Sequence, residues 1–139
     1  MSIVSDIEKL KKEKNAVILA HYYVDEDVQD IADYIGDSFY LSKVATKIDQ
    51  DRIIFAGVEF MGESAKILNP DKRVFMPDMN ADCPMAHMAD KDEILKLREE
   101  YDDLAVVCYI NSTAELKKYS DVCVTSSNAV KIVKNLPNK

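Results

Sequence analysis

Short unbroken apolar runs alternate along this chain with stretches of helical period, and that alternation limits the fold more than any other feature. Residues 16–20 (AVILA) form a continuous apolar run, the pattern of a strand buried on both faces. Residues 53–56, 74–76, 104–110 and 122–124 repeat it. Between the runs, apolar residues recur at helical spacing. Val28, Ile31, Ala32 and Ile35 fall on one helical face, with Gly36 as the expected stop. Leu41, Val44, Ala45 and Ile48 form the next face, with Asp37 or Ser38 as its cap. Ser5, three residues before Glu8, has the spacing of a capping box and predicts the start of a first helix that runs through Lys14. Further helices are expected over 59–68, ended by Asn69-Pro70, and over 92–101, 113–119 and 128–136. Strands alternating with helices predict the α/β class, a parallel sheet with helices on both faces.

The pattern also repeats. NAVILAHYY is echoed by DLAVVCYIN, IIFAG by VCVTS, and AKILNPDK by VKIVKNLPNK, with His21 and Tyr109 at equivalent places 88 positions apart. The first unit, residues 1–88, continues through the strand RVFMP into the loop that carries Cys83. The second, residues 89–139, is expected to stop short of its corresponding strand. One and a half repeated units are therefore expected.

Ligands of parallel sheets bind beyond the carboxyl ends of the strands. The residues that follow the expected strands are polar. They are His21 and Tyr23, then Gly57 and Glu59, then Asp78, Asn80, Asp82 and Cys83, then Tyr109, Asn111 and Ser112, and finally Ser126, Ser127 and Asn128. Each has two readings. His21 is either an acid/base or ligand-binding group that titrates near neutrality or a histidine hydrogen-bonded in a loop. Tyr23 and Tyr109 either donate to a carboxylate or phosphate or pack as amphipathic core residues. Ser126-Ser127-Asn128 and Asp37-Ser38 either receive an anion at a helix N-terminus or act as ordinary caps. Cys83 lies in a polar loop before Pro84, where a thiolate can reach a metal or substrate, while Cys108 and Cys123 lie in apolar strands as small hydrophobes. His87, four residues after Cys83, makes only a weak zinc signal and is expected on the surface.

Composition removes other classes. A formal net charge of -7 argues against a nucleic-acid partner. No run approaches the roughly 20 apolar residues of a membrane helix. The N-terminal MSIVSDIEKLKKEK lacks the layout of a signal peptide, and three cysteines without one suit a cytoplasmic location.

Several ordered runs, HYYVDEDVQDIADYIGDS, FAGVEFMGESAKILNP, MPDMNADCPMA, CYINSTAELK and SDVCVTSSNAVKIV, closely resemble the quinolinate synthases of de novo NAD synthesis, from about Asn15 to Pro137. The resemblance implies three pseudo-symmetric α/β units and a 4Fe-4S cluster held by one cysteine from each. It implies the condensation of iminoaspartate with dihydroxyacetone phosphate to quinolinate, with the cluster as Lewis acid. Cys83 is then the cluster ligand. His21, Tyr23 and Tyr109 act in catalysis, and His21, Ser38, Tyr109, Asn111 and Ser126 bind substrate. The other two cluster cysteines would lie beyond Lys139, so this chain alone is expected to be inactive and to need the missing C-terminal units or a companion chain. The alternative is a truncated, non-catalytic domain that binds small anions or a partner. An uncovered sheet edge is expected to make the isolated chain self-associate.

Overall fold

The computed structural model describes residues 2–138. They form two compact α/β units, one running to Asp82 and the other starting at Cys83.

In the first unit, α1 (Ile3–Glu13) starts earlier than Ser5 would place it. Ser2 is the N-cap, and the Ser2 and Ser5 hydroxyls accept each other's backbone N–H groups, at 3.3 and 3.1 Å. Asn15 then turns the chain into β1 (Ala16–His21) with φ of 49°, a left-handed conformation asparagine tolerates. After α2 (Glu26–Asp30) come β2 (Tyr34–Gly36), α3 (Ser38–Ala45), β3 (Arg52–Ala56), α4 (Glu59–Leu68) and β4 (Arg73–Phe75). All four strands are parallel, in the order β2-β1-β3-β4.

The helix expected over Val28–Ile35 ends at Asp30, and Ile35 belongs to β2. Pairing with β1 overrides the helical period: Ala20 lies opposite Ile35, and His21 opposite Gly36. Gly36 is therefore no helix stop. A Cβ there would sit 2.3 Å from Cδ1 of Tyr40, so glycine allows that ring to approach the strand. The next helix stops at Ala45, short of Ile48.

Alternation along the strands sends Val17, Leu19, Ile53 and Phe55 to one face. There they are buried with Leu41, Ala45, Phe60 and Ala65 of α3 and α4. Full burial of a side chain such as Phe55 or Leu19 is worth about 1.5–3 kcal/mol. The other face carries α1. Beside it lies an apolar groove of about 490 Å³ lined by Ile7, Leu10, Ile18, Ile31, Ile54 and Phe75.

The second unit opens with a 3-10 turn (Pro84–His87). It continues through α5 (Lys91–Glu100), β5 (Val107–Tyr109), α6 (Ala114–Lys118), β6 (Val122–Val124) and α7 (Ala129–Lys134). The strand expected over 104–110 is only three residues long. β5 and β6 pair in parallel.

The 88-residue offset extends to single hydrogen bonds. The Asp33 N–H donates to the Ile18 carbonyl at 2.9 Å, and its carboxylate accepts the Ile18 N–H at 2.7 Å. Asp121 does the same with Val106, at 2.9 and 2.7 Å. Each carboxylate also meets a cation from the preceding long helix, Lys11 at 2.8 Å and Arg98 at 2.7 Å. The Tyr22 N–H reaches the Gly36 carbonyl as the Ile110 N–H reaches that of Val124. Repeated sequence has produced a repeated strand-pairing device.

Candidate functional site at the strand ends

In the first unit, β1 ends at His21, only 8% exposed. Its Nδ1 accepts the Tyr23 N–H at 3.2 Å, so the neutral ring carries its proton on Nε2. Tyr22 stacks on the imidazole with centroids 4.6 Å apart and Tyr23 meets it edge-on at 4.7 Å. Burial lowers the His21 pKa below the usual histidine value, and the charge of Asp37 partly opposes this. Asp37 is near because the β1–β2 register sets Gly36 beside His21. The Tyr22 pKa is raised, chiefly by its hydrogen bond and charge interaction with Tyr23. The Tyr23 side chain itself is 82% exposed.

Asp37 caps α3 by accepting the Tyr40 N–H at 2.7 Å, and Ser38 is the first residue of that helix, half-buried. The ordinary capping reading of Asp37 therefore holds. The Asp37 carboxylate is thus itself the anionic group at the positive end of α3, with the Ser38 hydroxyl next to it. At the end of β3, Glu59 opens α4 and its N–H donates to the Ala81 carbonyl at 2.8 Å. That bond anchors the loop after β4, where Asp78 Oδ1 accepts the Asn80 N–H at 2.8 Å.

In the second unit, Tyr109 ends β5 at the register position equivalent to His21, and its side chain is exposed. Asn111 is half-buried two residues on, and Ser126 is exposed in the turn after β6. Asn128 heads α7, but its side chain accepts the Thr125 N–H at 2.8 Å instead of capping the helix. Thr125 and Ser127 share a hydroxyl hydrogen bond of 2.9 Å. The helix starts three residues later than the offset from α3 predicts, because this turn is closed by side chains. Cys83 is half-buried at the head of the 3-10 turn, and His87 is exposed, as the sequence suggested. None of the three cysteines is in a disulfide. Among the described residues, no three His, Cys, Asp or Glu side chains are grouped to hold a metal ion.

The fold thus gathers His21, Tyr23 and Ser38 at the strand ends of one unit, and Tyr109, Asn111 and Ser126 at the strand ends of the other. Sequence reasoning passed over Tyr22, whose ring completes the aromatic cluster on His21. The adjacent tyrosine pair was its only signal.

Each unit is an α/β unit built on parallel strands with polar residues at the strand ends, the edge at which ligands of such sheets bind. Residues 5–139 match the family model described as quinolinate synthetase A protein, and the chain belongs to that family. It is 68% identical over 133 residues to a quinolinate synthase of Fusobacterium nucleatum, which covers 96% of this chain and 45% of that protein. Quinolinate synthases of Clostridium perfringens and Pyrococcus abyssi are 57% and 58% identical over 139 and 136 residues, covering 100% and 98% of this chain and 46% of each relative. The chain therefore spans under half the length of these curated relatives. No helix among the described residues is long and apolar enough to cross a membrane.

Proposed function

We propose that this chain is the N-terminal part of a quinolinate synthase and that its strand-end residues bind iminoaspartate and dihydroxyacetone phosphate for condensation to quinolinate. The observation that carries the reading is the matched placement of polar groups in the two units. His21 and Tyr109 end equivalent strands, and Ser38 and Ser126 follow the strands paired with them. The family match over nearly the whole chain supports it.

The chain's own groups suit two anionic substrates. Ser38 offers a hydroxyl donor beside the Asp37 cap at the start of α3. The second unit carries hydroxyl and amide donors of its own in Tyr109, Asn111 and Ser126. His21 is neutral near pH 7 because burial disfavours its charge, and with Nδ1 engaged by Tyr23 it presents Nε2–H to a substrate oxygen. From that atom the neutral ring donates a hydrogen bond that polarises the substrate oxygen, and it assists proton transfer in the condensation or in the later tautomerisation in that way without carrying the proton itself. The hydrogen bond between Tyr22 and Tyr23 orients the two phenols beside it.

The half-buried Cys83 thiol, outside any disulfide, fits as one thiolate ligand of a 4Fe-4S cluster. We infer that the remaining ligands come from the C-terminal units or a companion chain. When bound, a cluster with an open iron position supplies Lewis-acid assistance to dehydration. Such chemistry belongs in the cytoplasm, where thiols stay reduced.

The test combines this chain with the C-terminal part of the Fusobacterium nucleatum relative and reconstitutes the pair anaerobically with iron and sulfide. Both cluster absorbance and quinolinate formation are expected from the pair, and neither from this chain alone. Cys83→Ser is expected to abolish the cluster signal. His21→Ala is expected to keep it and to lose about 10²–10⁴ in turnover. A clustered pair that makes no quinolinate from the two substrates would overturn the assignment.

A further inference from the structure

Cys108 on β5 and Cys123 on β6 lie directly opposite each other in the parallel ladder. Adjacent strands run about 4.8 Å apart, and partners in register send their side chains to the same face. That spacing falls within the Cα separations of disulfides, about 4.4–6.8 Å. Both side chains are half-buried, so a small oxidant can reach them. The equivalent pair in the first unit is Ala20 and Ile35, at the matching register position of β1 and β2. The repeated architecture is therefore satisfied by apolar residues there, and a thiol at both partner positions is particular to the second unit. The thiols also sense each other. Burial pushes Cys123 up, the neighbouring Cys108 adds to this, and Lys117 opposes it.

We propose that Cys108 and Cys123 form a redox-active dithiol that closes to an intramolecular disulfide on exposure to a hydroperoxide. One sulfur, as thiolate, attacks the O–O bond. An S–O bond forms, the O–O bond breaks, and the leaving oxygen departs as water after taking up a proton. The second sulfur then attacks the first. The S–S bond forms, the S–O bond breaks, and the hydroxide carries off the second thiol's proton as water. Two thiols lose two electrons in all, and one hydrogen peroxide becomes two waters. The bond ties β5 to β6 one residue before Tyr109 and three before Ser126, the residues placed at the strand ends of this unit. Cys83, at the head of the 3-10 turn, takes no part.

The experiment uses the full 139-residue chain, reduced, desalted and treated with hydrogen peroxide. Mass spectrometry follows denaturation and alkylation with iodoacetamide. The expected product has lost about 2 Da and carries a single alkyl group, on Cys83. Non-reducing digestion should link the peptides of Cys108 and Cys123, and a thiol reductant should reverse the change. Cys108→Ser and Cys123→Ser should each remove the linked species, and Cys83→Ser should retain it. A link involving Cys83, a linked species surviving in either serine variant of the pair, or all three thiols still fully alkylated after peroxide would each overturn the proposal. So would stepwise oxygen addition at Cys108 and Cys123 without a link.

Discussion

Replacing Asp33 with alanine tests the strand-pairing device on which the repeat is built. Its carboxylate accepts the Ile18 N–H at 2.7 Å and the Lys11 ammonium at 2.8 Å, while its own N–H donates to the Ile18 carbonyl. Ile18 is buried, and the Lys11 side chain is 12% exposed. Burial alone would lower the Lys11 pKa, but its pairs with Asp33 and Glu8 outweigh that and hold it above the ordinary lysine value. In Asp33→Ala the Ile18 N–H loses its acceptor in a place poorly reached by water, at a cost of about 1–3 kcal/mol. Lys11 keeps Glu8 at 2.8 Å, so the lost ion pair adds only about 0.5–1 kcal/mol. Asp33→Asn keeps an acceptor for Ile18 and loses only the charge, so it should cost about 1 kcal/mol or less. Urea unfolding followed by far-UV circular dichroism gives the totals. Amide hydrogen exchange at Ile18 gives the local effect, since about 2 kcal/mol corresponds to roughly thirtyfold faster exchange. If alanine and asparagine cost the same, or if alanine costs under about 0.5 kcal/mol, the backbone acceptor role is refuted.

Three further outcomes follow from the same geometry. Because burial depresses the folded-state pKa of His21 below 6.5, the unfolded chain binds the proton more readily. Stability should therefore be full above about pH 6.5 and fall as pH drops through the lower folded value, and His21→Gln should flatten that limb in pH-dependent urea titrations. The Asp121 carboxyl is held below its ordinary value by the Val106 N–H and then by Arg98, so its contribution is present above about pH 4 and lost in stronger acid. An Asp121→Asn chain whose acid limb matched the parent would contradict this. Finally, the β5 edge away from β6 pairs with no strand among the described residues, and the groove beside α1 is apolar. Analytical ultracentrifugation should show concentration-dependent association of the isolated chain, and a single monomeric species throughout the range would count against it.

The element sequence was legible because burial on both faces leaves a plain signature. Residues 16–20 and 53–56 read as strands and form β1 and β3. Asn69-Pro70 ended α4 where local backbone sterics required. Ile35 was misread because its position fits two periods at once. A helical pattern beginning at Val28 and a strand beginning at Tyr34 place the same residue on an apolar face, and only the partner strand selects between them. The start of α1 was missed because Ser2 and Ser5 form a reciprocal hydroxyl box in place of the serine–glutamate pair. The helix expected over 128–136 forms as α7 with Asn128 at its head, but the sequence did not show that Asn128 binds Thr125 and so closes a side-chain turn, an arrangement with no periodic trace.

The same division runs through the candidate site. The sequence by itself determined the α/β class, the repeat at an offset of 88 and the identity of the polar groups after each strand, since all three depend on residue type and spacing. Only the tertiary structure decided that Nδ1 of His21 is engaged by the Tyr23 backbone, that Tyr22 stacks on its ring and that Asp37 opposes the effect of its burial. It alone set Cys108 opposite Cys123 and gave Asp33 and Asp121 their matching roles. Sequence spacing reports along one chain. Parallel strands meet across a crossover connection, so their register and the chemistry that depends on it exist only once the sheet has formed.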